Sequence, residues 1–314
     1  MMFMSRYGRD GALRAMALAS ALALAGGGLL LAARAEAAPA AARQAAFVSD
    51  RLSVEVVGDG PDVVLIPGFA SSREVWRAEA ERLKATHRVH LVQLAGFAGE
   101  AWTHGDDAFI APMVEELARY IREAGLERPG VIGHSMGGLT GVLLAQAHPD
   151  LVGRVMSVDS LPFFSALFGP QMTAETARPF AEQTAAALRA PGDEAVFRAQ
   201  QEQTAVTMAR DPVTRERMTA WSLASDRRAM AAAMRDVMTT DARPGLAAMA
   251  TPVWALYAVD ADGGPPAAMA EALWTREYAA LPGVRLVRVD DSRHFIMADQ
   301  PERFAAIVDQ FLAD

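Results

Sequence analysis

Beyond Ala46, short apolar runs alternate with stretches of helical periodicity. Ser53-Val54-Glu55-Val56-Val57 alternates like a half-buried strand and ends in the turn Gly58-Asp59-Gly60. Val63–Ile66 is a continuous apolar run, the pattern of a strand buried on both faces. Ser71 or Ser72 can cap a helix running to about Ala85. The spacing then predicts a strand at Val89–Leu94, a Gly-rich loop, a helix over about Asp107–Ala124 and a strand at Gly130–Ile132. A helix over Met136–Ala147 and a strand at Arg154–Val158 follow. Such alternation implies mostly parallel strands with crossover helices, hence a doubly wound α/β sheet.

The rhythm breaks between about residues 161 and 247. That stretch is rich in Ala, Met, Arg, Gln and Glu, with breaks at Pro179, Pro191-Gly192, Asp211-Pro212 and Asp226, and reads as several short helices. Strand and helix patterns resume at Pro252–Tyr257, Ala267–Ala280, Val284–Val289 and Pro301–Leu312. A helical block with core elements on both sides reads as a lid inserted into the domain. The expected organisation is a signal peptide over 1–37 and one domain over 38–314. The leader is read from Arg6, Arg9 and Arg14, the apolar run Ala15–Leu31, and the small residues of Ala33-Arg34-Ala35-Glu36-Ala37-Ala38. Cleavage near Ala37 would leave an exported, periplasmic or secreted protein without stable membrane insertion; the competing reading is a retained anchor.

Composition narrows the chemistry. The net charge is −8 with both signs interspersed, so no basic face offers itself to nucleic acid. Cysteine is absent, which removes disulfides, thiol nucleophiles and thiolate metal sites. No zinc, P-loop or dinucleotide signature appears, and no cofactor or metal is implied. The five methionines Met208, Met218, Met230, Met234 and Met238, with Phe163, Phe164, Phe168 and Trp221, suit either an adaptable apolar pocket or packing among the inserted helices. Arg227 and Arg228 read as solvated.

The decisive segment is Gly133-His134-Ser135-Met136-Gly137-Gly138, a G-x-S-x-G joining an apolar strand to a helix. In that setting the serine takes a strained conformation, flanking glycines avoid clashes, and the hydroxyl is exposed at the carboxyl end of the sheet. Of six histidines, His87, His90 and His148 sit at element edges as solvated side chains, and His104 has no assigned role. His134 lies inside the turn, its ring expected to point away from the attack path. His294 follows the last strand and precedes Asp299-Gln300-Pro301-Glu302-Arg303-Phe304.

On these motifs the chain resembles the α/β-hydrolase family over essentially its whole length after the leader. The resemblance implies that Ser135 is the nucleophile and His294 its base. It also implies that the N–H groups of Phe69, in Ile66-Pro67-Gly68-Phe69-Ala70, and of Met136 form an oxyanion hole. The acid is expected after the strand ending at Tyr257, where Asp260 is preferred to Asp262. The glycine that usually precedes it is absent, and Asp159, after the preceding core strand, is a third candidate. The implied activity is hydrolysis of small carboxylic esters carrying an apolar acyl or alcohol group, through an acyl-enzyme. The alternatives are another acyl-type bond (lactone, amide or carbon–carbon) or a non-catalytic binding protein of the same fold.

Overall fold

The computed structural model describes residues 47–190 and 192–314. The expected leader, and with it any cleavage site or anchor, lies outside the described residues. The chain runs β1 (Leu52–Val57), β2 (Asp62–Ile66), a 3₁₀ turn (Arg73–Trp76) into α1 (Arg77–Leu83), β3 (Arg88–Leu94), α2 (Ile110–Glu123), β4 (Gly130–His134), α3 (Met136–Ala147) and β5 (Arg154–Val158). After a second 3₁₀ turn (Phe164–Phe168) come α4 (Ala174–Arg189), α5 (Glu194–Met208), α6 (Pro212–Ala224), α7 (Arg227–Thr239) and α8 (Arg243–Leu246). The core resumes with β6 (Val253–Val259), α9 (Ala267–Glu277), β7 (Arg285–Asp290), α10 (Ile296–Asp299) and α11 (Pro301–Ala313).

The strands form one sheet in the order β1-β3-β2-β4-β5-β6-β7, parallel except for β1, which pairs antiparallel with β3. Successive strand residues feed opposite faces, so the continuous apolar runs build two cores. Val64, Ile66, Val131, Val155 and Ala255 pack toward α2, α3 and α9, while Val63, Leu65, Ile132, Met156 and Leu256 pack toward α1 and α11. Strand order reverses at β2: β3 lies on one side and β4 on the other. The carboxyl ends of β2 and β4 therefore border the crevice where open α/β sheets place ligands.

The segment between β5 and β6 is helical. Asp193, Asp211 and Asp226 cap α5, α6 and α7, the last two at breaks expected from the sequence, with Pro212 in the first turn of α6. Pro179 does not break a helix; it lies inside α4, whose start is fixed by a Thr173–Thr176 capping box. The segment packs closely on the core: Met230 is buried in the α2/α3 core, Met238 is buried as well, and Met208 and Met218 pack against the opposite core. Those four therefore serve packing. Arg227 is also not simply solvated, since its guanidinium lies 3.8 Å over the Phe197 ring and its Nε–H donates to the Leu188 carbonyl.

His90 departs furthest from the expected solvated edge. It is 2% exposed and hydrogen-bonded through Nε2 to Asp62 and through Nδ1 to the Tyr120 hydroxyl. Burial pushes its pKa down, against the opposing pull of Asp62. A ring that resists protonation when folded makes the unfolded chain the better proton acceptor below about pH 6.5, so stability falls as pH falls through that value. Urea unfolding between pH 8 and 5 is expected to show this decline. His90→Gln should flatten it while costing about 1–3 kcal/mol at pH 8, since Asp62 and the Tyr120 hydroxyl lose their shared partner. An unaltered slope would contradict the burial argument.

Candidate active site

β4 ends at His134 and α3 begins at Met136, leaving Ser135 alone to reverse the chain. It does so at φ 54° and ψ −123°, a conformation that costs a non-glycine residue about 1–3 kcal/mol. Glycines make the turn possible. A Cβ at Gly133 would stand 2.1 Å from the Gly137 carbonyl oxygen, and one at Gly137 would stand 2.4 Å from that of Ile66. The start of α3 is thus pressed against the end of β2. A Cβ at Gly68 would lie 3.1 Å from that of Ser135, so the Pro67-Gly68-Phe69 loop rests on the turn. Met136 opens α3, and its N–H has no acceptor within the helix.

His294 reaches the same end of the sheet from the loop after β7. Its ring lies 4.5 Å, centroid to centroid, from that of His134, the residue before Ser135. Its Nδ1–H donates to Asp159 Oδ2 at 2.7 Å, which in the neutral ring makes Nε2 the acceptor. Asp159 is held from behind. Its own backbone is left-handed (φ 46°), its N–H donates to the Leu256 carbonyl at 2.9 Å, and its Oδ1 accepts the Ala258 N–H at 2.9 Å. Tyr278 pins the same turn by donating to the Ser160 carbonyl at 2.8 Å. Among the described residues no hydrogen bond yet joins the Ser135 hydroxyl to the imidazole. Such bonds commonly tighten only in the substrate complex.

The expected partner of His294, Asp260, is placed elsewhere. It is 3% exposed and pairs with Arg293 Nε at 2.6 Å and with Arg210. Burial raises its pKa, but the Arg293 hydrogen bond and both guanidinium charges outweigh this and leave it below the usual carboxylate range. Asp262 is exposed and pairs with Arg210 at 3.1 Å. The register expected for the acid after Tyr257 therefore delivers a clasp: Asp260 ties the α5–α6 junction to the loop bearing His294. Asp299 reinforces it by accepting the N–H groups of Arg210, Asp211 and Arg293 at 2.8, 3.0 and 2.8 Å.

Sequence reasoning missed His134. Its ring is 1% exposed and turned toward His294, where Nε2–H donates to the His294 carbonyl at 3.0 Å. Nδ1 is buried without a partner, and burial first, then the neighbouring His294, push the pKa well below the ordinary histidine value. His134 is a neutral donor that fixes the His294 backbone. The signal was its place in the turn, which put it next to whichever group served the serine.

A cavity of about 480 Å³ opens beside Asp159 and His294, between the second 3₁₀ turn, the start of α9 and the loop after β6. Of the methionines in the sequence, Met269 lines it; the five singled out earlier do not. Among the described residues no group of three or more His, Asp or Glu side chains is placed to hold a metal ion, and no helix is long and apolar enough to cross a membrane.

Comparison with known proteins follows this geometry. The chain is 35% identical over 123 residues to a pimeloyl-[acyl-carrier protein] methyl ester esterase of Vibrio atlanticus, and 36% over 116 residues to the protein of the same description in Aeromonas hydrophila. These matches cover 39% and 37% of this chain and 45% and 44% of those proteins, so the chain spans less than half the length of the curated relatives it matches. Among solved structures, the enol-lactonase of Burkholderia xenovorans superposes with a TM-score of 0.68 at 20% identity, over 84% of this chain and 96% of that one. A thermophilic esterase from Thermogutta terrifontis gives 0.66 at 25% identity, over 83% and 93%. The model of the alpha/beta hydrolase family matches residues 63–307, and the chain belongs to that family.

Proposed function

We propose that this hydrolase is a serine esterase working through an acyl-enzyme, with Ser135 as nucleophile, His294 as base and Asp159 as the acid that orients it. The observation that carries the reading is the 2.7 Å hydrogen bond from His294 Nδ1 to Asp159, made by a ring that packs 4.5 Å from that of His134, the residue before a serine in a strained strand-to-helix turn. With Nδ1–H held by a carboxylate, Nε2 is free to take the Ser135 proton as Oγ bonds to the ester carbonyl carbon. Negative charge gathers on the carbonyl oxygen, where the N–H groups of Phe69 and Met136 are the proposed donors. The ester C–O bond breaks, Nε2 passes its proton to the departing alcohol, and water then cleaves the acyl-enzyme by the same steps. The ester chemistry in the descriptions of the curated relatives supports a carboxylic ester as the bond cleaved.

Two further elements belong to the proposal. The helices α4 to α8 act as a lid, supported by their position between β5 and β6 and by the clasp at Asp260. Export is supported by the basic, apolar and small-residue succession over residues 6–38.

A fluorophosphonate probe should label the folded protein, and Ser135→Ala should abolish labelling. Folded protein that does not label favours the non-catalytic reading. The two acid candidates separate by substitution. Asp159→Asn is expected to lower kcat on p-nitrophenyl butyrate by about 10³–10⁴, because the imidazole loses its tautomer-fixing partner. Asp260→Asn should lower kcat less than about tenfold but cost about 2–3 kcal/mol in urea unfolding, since its two arginines remain part-solvated. The reverse ranking in kcat would restore Asp260 as the acid.

His134→Phe keeps a buried ring and removes the donor to the His294 carbonyl. Small displacements of a base can cost about 10² in rate. The expected result is a fall in kcat of about 10- to 100-fold with KM changed less than about threefold. Equal kcat for variant and wild type would show that the His294 loop holds its place unaided.

A further inference from the structure

We infer that Tyr278 is a positioning residue: by donating to the Ser160 carbonyl it holds the turn that aims Asp159 at the His294 ring. The inference rests on the serine-esterase reading above and adds to it the support of the acid.

The turn at Asp159 needs support on two sides. Its left-handed backbone (φ 46°) is a conformation that side chains disfavour, and it persists only where the surroundings hold it. On one side β6 supplies the hold. The Asp159 N–H donates to the Leu256 carbonyl and Oδ1 accepts the Ala258 N–H, both at 2.9 Å. On the other side the chain leaves the sheet for the second 3₁₀ turn and the inserted helices. There the Ser160 carbonyl accepts the Tyr278 hydroxyl at 2.8 Å, while the Ser157 hydroxyl reaches the same carbonyl only at 3.3 Å.

Tyr278 suits the task because it belongs to neither the turn nor the inserted segment. It follows α9, its N–H donates to the Trp274 carbonyl at 3.0 Å, and its side chain is buried in the α2/α3 core at 1% exposure. A phenol carries one proton, and the Ser160 carbonyl is the nearer of its two partners; Ser157 Oγ lies at 3.1 Å. Burial pushes the Tyr278 pKa up against the Ser157 hydrogen bond, and the charge of Asp159 raises it further. The hydroxyl therefore stays a donor throughout the range in which histidines titrate. The same turn bears on the nucleophile. A Cβ at Gly138 would stand 2.7 Å from that of Ser160 and 2.9 Å from Ser157 Oγ, so the start of α3 rests on the residues that Tyr278 fixes.

Asp159 acts on His294 through distance and direction. A carboxylate loosened at its turn fixes the ring tautomer less well and favours the imidazolium less. The test uses the full chain, p-nitrophenyl butyrate and Tyr278→Phe, which keeps the ring and removes the hydroxyl. Fluorophosphonate labelling counts the active sites, so kcat refers to presented Ser135 alone. It is expected to fall about 5- to 20-fold with KM changed less than about twofold, in scale with small displacements at a reacting centre. In the Asp159→Asn background the same substitution should cost less than about twofold, because residues that act through one another are not additive. The limb of kcat/KM against pH that reports His294 should also move to lower pH, since a more distant carboxylate raises the imidazole pKa less. Ser157→Ala leaves the 2.8 Å bond in place and should lower kcat less than about twofold, its own bond being long. An undiminished kcat in Tyr278→Phe, an equal fall in both backgrounds, an unmoved pH limb or an equal fall in Ser157→Ala overturns the positioning role and leaves the esterase reading intact. Labelled wild-type protein that turns over no p-nitrophenyl ester overturns the esterase reading, and this inference with it.

Discussion

The left-handed backbone at Ser135 is the constraint around which the other site residues are arranged. A strand that feeds a helix through a single residue must bring the helix start almost into contact with the sheet. Here that closeness reaches the limit set by bare backbones: Gly133 faces Gly137, and Gly137 faces the carbonyls that end β2. The strain at Ser135 persists because β4 is packed on both faces, through Val131 and Ile132, and α3 is held in the core on one of them. Two consequences follow from the same packing. Met136 presents an N–H that the helix cannot use, and the Pro67–Phe69 loop is brought against the serine through Gly68.

The second half of the site depends on how two carboxylates, one part-buried and one buried, are partnered. Asp159 and Asp260 follow neighbouring parallel strands, β5 and β6, and both lie at the carboxyl edge of the sheet. Asp260 is neutralised by Arg293 and Arg210, so its charge is already committed. Asp159 has no arginine partner; it is met by one backbone N–H and by His294. Of the two, it is Asp159 that meets the His294 ring.

Much of this was readable in the chain, and the misses have physical causes. The continuous apolar runs of β2, β4 and β5 announced strands buried on both faces, and the glycines around Ser135 announced a turn too tight for side chains. α3 and β5 fall at their expected limits. Asp260 was expected to meet His294 and Asp159 meets it instead, because an aspartate after a strand looks the same in sequence whether an arginine or a histidine comes to meet it. His90 was read as solvated because its partners, Tyr120 on α2 and Asp62 on the neighbouring strand, are brought to it only by the sheet. Pro179 looked like a break, yet the capping box at Thr173 starts α4 early enough to carry the proline inside the helix.

The clasp at Asp260 ties the inserted helices to the His294 loop more directly than the topology requires. Arg293 is the residue immediately before His294, and its guanidinium donates to Asp260 and to the Val206 carbonyl at the end of α5. Phe295, immediately after, donates its N–H to the Met208 carbonyl at 3.2 Å. His294 is thus flanked on both sides by residues bonded to the same inserted helix, while its own carbonyl is held by His134. The α5–α6 junction cannot part from the core without breaking the pairs of Arg210 with Asp260 and Asp262 and the two N–H bonds from Arg210 and Asp211 to Asp299. Buried ion pairs of this kind add little net stability, because desolvation offsets their attraction, but losing one partner is costly. Their effect here is geometric: they fix where the inserted segment meets the sheet, and that meeting point holds the imidazole over Asp159.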